Sequence, residues 1–174
     1  MILRLAPLFF LVAVQSVYAY TLPDGTERYD IEDKIWVELD TAIPEYPKAE
    51  NLIEFSVGPT ETNHFYIDGS SIVIGLDGIV RYVLVLKTVG GAKNVSMEAI
   101  RCATKEMKLL ATGRADGGWE KIPNSSWQPI KNKLVNQFHA ILNRDFFCAG
   151  GHPPHDSDEA RAGLKHGRHL DAPQ

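Results

Sequence analysis

Most of the motifs that announce a chemistry are missing from this chain. Its only cysteines are Cys102 and Cys148, so there is no Cys-x-x-Cys spacing to build a zinc ribbon or to depress a redox thiol. It has no His-Glu-x-x-His and no phosphate-cradling glycine loop, and Ser70, Ser71 and Ser96 stand outside any nucleophile-elbow context. Excess positive charge is lacking too: the formal net charge is -4 and the sequence pI about 5.8. That leaves no basic field to recruit nucleic acid or anionic lipid.

A long apolar run is also absent. The N-terminus has a single basic residue, Arg4, then the apolar stretch Leu5 to Val14, then Val17-Tyr18-Ala19 with small or modest side chains. As a helix, ten residues cross only about half of the ~30 Å hydrocarbon core. The pattern is that of a cleavable secretory signal peptide, residues 1–19, with cleavage expected after Ala19. No cysteine lies nearby to take a lipid, so no stable membrane insertion is expected after cleavage. The remaining 155 residues of 174 fit one domain, and losing Arg4 takes the net charge from -4 to -5. In an oxidising compartment an even number of cysteines implies one disulfide, Cys102 to Cys148. It would close a loop of about 46 residues and stabilise the fold by about 4 kcal/mol on the chain-entropy model.

Residues 20–60 are rich in acids and prolines, with Pro23, Pro44, Pro47 and Pro59 interrupting any long element. A short helix around Glu32 to Leu39 is expected. Ile35, Trp36, Leu39, Ile43 and Tyr46 are too apolar for a free arm, so the segment is expected to lie along the core. Residues 61–148 read as the folded domain. From Asn63, turn dipeptides punctuate apolar runs: His64 to Ile67 before Asp68-Gly69, Ser71 to Ile74 before Asp77-Gly78, Ile79 to Lys87 before Gly90-Gly91, then Asn94 to Cys102 and Glu106 to Thr112. The run from Ile79 to Leu86 is apolar on both faces and so predicts a central, covered strand. Ile130, Leu134, Val135, Phe138, Ile141 and Leu142 recur at helical spacing, with Asn143 among the polar residues of the opposite face and Pro129 suiting the first turn. The predicted fold is α+β: an antiparallel meander of about five or six strands with a C-terminal helix on one face and one disulfide. Residues 149–174, almost without large apolar side chains, are expected to be a disordered His-rich tail.

These pieces taken together resemble the cryptic neisserial protein family. The resemblance rests on 62–68 (Thr-Asn-His-Phe-Tyr-Ile-Asp), on 73–82 from Val73 to Tyr82, on Gly91 to Ser96, and on Ile100-Arg101-Cys102. Ile43-Pro44-Glu45-Tyr46-Pro47, Gly113-Arg114, Trp119, Trp127 and Phe147-Cys148 add to it. It covers about Trp36 to Cys148. What it implies is a small exported protein of Gram-negative bacteria, hence periplasmic, from a family with no established activity or agreed site. Ala99 and Leu110 stand where the family pattern has a glycine and a tyrosine, and the tail lies outside it.

Candidate site residues follow from strand geometry. Alternate residues of neighbouring strands share a face, so Asn63, His64 and Tyr66 could converge with Arg81, Arg101 and Arg114 into an anion-binding patch. In the tail, His152, His155, His166 and His169 form two His-x-x-His pairs able to hold a divalent metal through neutral imidazoles. Trp119 and Trp127 are expected to pack rather than to stack sugars. The expected function is a non-catalytic periplasmic protein binding an envelope protein or a small anionic ligand, with no cofactor. The alternatives are metal buffering by the tail, and a small hydrolase using His64 and Asp68.

Overall fold

A computed structural model describes residues 35–131, 137–169 and 171–172, with the backbone of two short strands nearer the N-terminus. The expected signal peptide lies outside the described residues. The chain divides into two units, Met1–Trp36 and Val37–Gln174. In the first, β1 (Tyr20–Thr21) and β2 (Glu27–Arg28) pair antiparallel. The second holds the main sheet, the helices and both cysteines.

Eight strands make that sheet: β3 (Leu52–Phe55), β4 (His64–Asp68), β5 (Val73–Ile74), β6 (Ile79–Lys87), β7 (Lys93–Arg101), β8 (Glu106–Gly113), β9 (Trp119–Lys121) and β10 (Gln128–Pro129). The order is β10-β8-β7-β6-β4-β3, with β5 added to β6 and β9 to β8, and each pair is antiparallel. The meander is as expected and longer by β3, β9 and β10. β3 lies in the segment assigned to the Pro-rich arm, where a four-residue strand is too short to show a period. Strand β6 is central and buried from Ile79 to Val85. Its apolar character on both faces has a direct cause: Val80, Tyr82 and Leu84 face one core while Val83 and Val85 face a second. The tight reversal into β6 needs Gly78 at φ +75°, a region without penalty only for glycine. Between β7 and β8 the register shifts after Met97, leaving Leu110 as an extra residue on β8.

The first face is closed by helix. α1 (Gln137–Ile141) runs straight into a π-helical turn, Leu142–Phe147. Its Ile141, Leu142, Phe146 and Phe147 join Phe55, Phe65, Tyr82 and Ile100 in the larger core. Ring contacts tie the layers, Tyr82 to Phe147 at 5.0 Å and Phe55 to Phe146 at 5.8 Å between centroids. The predicted disulfide closes this face, joining Cys102 just past β7 to Cys148 just past the π turn, with Cα atoms 5.2 Å apart.

The tail is a correction. α2 (Ser157–Lys165) is capped by Asp156, whose carboxylate accepts from the N–H groups of Asp158 and Glu159, and it buries Ala160 and Leu164 against the sheet. Counting large apolar residues missed it because small ones do the packing. A Cβ at Gly163 would come within 3.4 Å of the His169 backbone, so the helix and the chain after it sit close with little side chain between them. A second correction concerns the helix proposed for Glu32 to Leu39: its described part, 35–39, has no regular structure.

The second face is closed by an irregular strap, residues 37–47. Ile43 and Tyr46 pack over Val83, Val85, Val95, Met97 and Ala111. Prolines at 44 and 47 withhold backbone donors, which keeps the strap from pairing as a strand. Polar contacts hold it instead. The Asp77–Arg81 ion pair, with side chains 1% and 3% exposed, receives the Leu39 N–H on the carboxylate and donates to the Leu39 carbonyl. Trp119 donates its indole N–H to the Pro44 carbonyl, Trp127 donates to Glu38, and the Tyr46 hydroxyl donates to the Arg114 carbonyl. Many pieces of the family resemblance, from Ile43–Pro47 to Gly75, Asp77, Arg81, Gly113, Trp119 and Trp127, are thus parts of one fastening.

Candidate functional site

The sequence-predicted surface set is spread out. His64 and Tyr66 stack with ring centroids 6.4 Å apart, but the His64 imidazole is 2.7 Å from the Glu54 carboxylate, and Lys87 lies over the Tyr66 ring. His64 pairs in register with Lys87. Arg81 is six residues farther down β6, about 20 Å at the strand rise, and is engaged by Asp77. Arg101 sits opposite Ile79, farther still. Arg114, in the β8–β9 turn, is paired with Asp116, and the Asn63 N–H donates to Glu61. The hydrolase pair does not form, since Asp68 accepts from the backbone and hydroxyl of Ser70 while His64 is held by Glu54 at the other end of β4.

A denser polar cluster lies inside the helix-covered core. Glu98 accepts at one oxygen from Ser96 (2.7 Å) and at the other from the Tyr82 hydroxyl (3.0 Å), with the His139 Nε2 at 2.8 Å. Burial pushes the Glu98 carboxyl up, but the hydrogen bonds and charge supplied by His139, with those from Ser96 and Tyr82, outweigh it and hold it below the ordinary value. Burial first and the Glu98 charge second push the Tyr82 phenol well up, so it stays a donor. The grouping contains an imidazole and a carboxylate, as a general base would, yet the side chains of His139, Glu98 and Tyr82 are at most 10% exposed. It orients α1 on the sheet.

The chemistry open to a ligand is on the other side of α1 and its π turn. A cavity of about 480 Å³ is lined by Cys102, Lys105, Asn143, Arg144, Cys148 and Gly150 among others. Asn143 is 8% exposed, and its Nδ2 has no hydrogen-bond partner. Lys105 and Arg144 supply two positive charges. Arg144 uses Nε and one Nη2 hydrogen on Asp145, both at 2.6 Å, which fixes the guanidinium plane and leaves three of its five N–H groups to other acceptors. A second cavity of about 540 Å³ also has Arg144 in its wall, with Ser56, Asp145, Gly167 and Arg168. Sequence reasoning missed Ser56, Lys105, Arg144 and Arg168 altogether. Asn143 was legible only as a polar residue on a helix face, and its nearness to Cys148 was the one available hint.

The tail histidines are separated by the helix that forms there. His155 lies beside Asp156, His166 lies 2.8 Å from the Ala162 carbonyl, and His169 is buried with Nε2 3.0 Å from Glu159. The Asp171 N–H donates to the His169 Nδ1. Among the described residues no group of three His, Cys, Asp or Glu could hold a metal ion. No described helix is long and apolar enough to cross a membrane.

Taken together these features define a disulfide-stapled α+β domain: a meander closed by helix on one face and by a strap on the other. The CNP1-like family model matches residues 31–165, and the chain belongs to that uncharacterised family. The match runs past Cys148 to the end of α2, so the helix after the disulfide is part of the family's domain. No curated protein and no solved structure matches the chain.

Proposed function

We propose that this protein is an exported, non-catalytic binding domain that takes a small anion in the cavity beside the disulfide. The observation that carries the reading is the buried, unpartnered Asn143 Nδ2 in a wall that also contains Lys105 and Arg144. A buried donor without an acceptor costs about 1–3 kcal/mol, and an oxygen of an anionic ligand would recover it. Two cations beside that donor select the sign of the ligand. Export is supported by the order of Arg4, Leu5–Val14 and Ala19 and by the single disulfide. The periplasm is its expected compartment.

Isothermal titration of acetate and phosphate into the oxidised mature protein tests the binding. Saturable heat that is lost in Asn143→Asp, with an unchanged far-UV spectrum, is the expected result; equal binding by that variant, or no heat with either anion, removes the reading. N-terminal sequencing of the protein from the periplasmic fraction tests export, and Tyr20 is the expected first residue.

A further inference from the structure

Building on that anion site, we propose that its ligand has two anionic groups and lies across Arg144, one group in each of the two cavities that share this residue. The sharing is built into the helix: Ala140 and Asn143 line the disulfide side, Ile141 and Asp145 line the other, and Arg144 appears in both walls. Each cavity adds a cation of its own, Lys105 on the disulfide side and Arg168 on the far side. Each also adds a polar group, the Asn143 amide in the first and Ser56 in the second. Neither Lys105 nor Arg168 has an ion-pair partner among the described residues. Arg144 is the fixed centre of this arrangement. Its side chain is 55% exposed, and Asp145 grips only one edge of the fork. A planar guanidinium so oriented can donate from its free edge to oxygens on either side, which a flexible ammonium would do with less direction. Asp145 acts here as a positioning residue. A ligand with one anionic group satisfies half of this array; a small dicarboxylate or diphosphate satisfies both halves.

The test compares acetate with succinate and glutarate, and phosphate with pyrophosphate, by titration calorimetry on the oxidised mature protein. At least one ligand with two anionic groups is expected to bind about tenfold tighter than its one-group counterpart, the increment of one additional charge-assisted contact. Arg168→Gln is expected to return that ligand to the affinity of its one-group counterpart, whose own binding is unchanged. Lys105→Gln is expected to weaken both. Arg168 is exposed, so its replacement leaves the fold intact, and Arg168→Lys should restore part of the gain. Binding of the one-group anions with no two-group advantage, or a two-group advantage indifferent to Arg168→Gln, overturns the two-group ligand and leaves the single-anion site standing. The absence of binding by every probe overturns both.

Discussion

On one side of the sheet, apolar side chains from two helical segments, a disulfide and a buried carboxylate network close the core. On the other, a strap without regular structure is fastened by hydrogen bonds between its backbone and side chains and those of the sheet and its turns. The helix face gains from area removed from water, which is non-directional and tolerates repacking. The strap face depends on a few directional contacts, each with a single correct partner. Damage on the helix face should therefore appear as lost global stability, whereas damage on the strap face should appear first as local release.

The sharpest break of that contrast is Glu98→Ala, which strands His139 and Tyr82 in the core. Removing one partner of such a buried set is expected to destabilise by about 3–5 kcal/mol in urea denaturation. Acid should do the same gradually. Glu98 and Asp77 both sit below the ordinary carboxylate value, Glu98 despite burial because of His139, and Asp77 despite burial because of Arg81 and the backbone of Leu39 and Ile79. Their stabilisation is complete above the unfolded carboxylate range, near pH 4, and is lost as pH falls through their folded values. Glu98→Gln should flatten the drop in urea midpoint between pH 7 and pH 3, and an unchanged slope would take Glu98 out of the account. Replacing both cysteines by serine is expected to remove about 2–5 kcal/mol. The strap should answer to Gly113→Ala, because the new Cβ would stand 2.7 Å from the Val95 Cβ and 2.9 Å from the Tyr46 ring. Overpacking of about 1–3 kcal/mol is expected, with a red shift of Trp119 fluorescence as Tyr46 lifts away. Smallest is Asp156→Ala, about 1 kcal/mol from the lost cap, read as faster hydrogen exchange confined to α2.

How much of this was legible in the sequence differs by face in the same way. Strands β4 to β7 announced themselves because Asp-Gly and Gly-Gly turns separate apolar runs, and the disulfide followed from an even cysteine count. The apolar run of β6 on both faces correctly marked a central, covered strand. Contacts that depend on direction were hidden. Nothing in the spacing of Leu39, Asp77 and Arg81 says that a backbone amide will sit on that ion pair, and nothing in Asn143 says that its amide will lack a partner. The predicted arginine patch failed to gather for the same reason: a shared sheet face fixes side, while distance along the strand, about 20 Å from His64 to Arg81, depends on register. Helix α2 was hidden because Ala160 and Gly163 pack by being small.

The strap also has a bearing on the order in which the molecule assembles. Its anchors lie far ahead in the chain: Leu39 waits for Asp77, Tyr46 for Arg114, and Glu38 for Trp127, separations of 38, 68 and 89 residues. Contacts of that span carry a large loop-closure entropy and have no surface to land on until β6 and the β8–β9 hairpin exist. The strap therefore settles late, after the sheet that follows it in the chain. Substitutions in it, Tyr46→Ala above all, should speed unfolding while leaving the refolding rate nearly unchanged, because contacts absent from the transition state act on the unfolding limb alone.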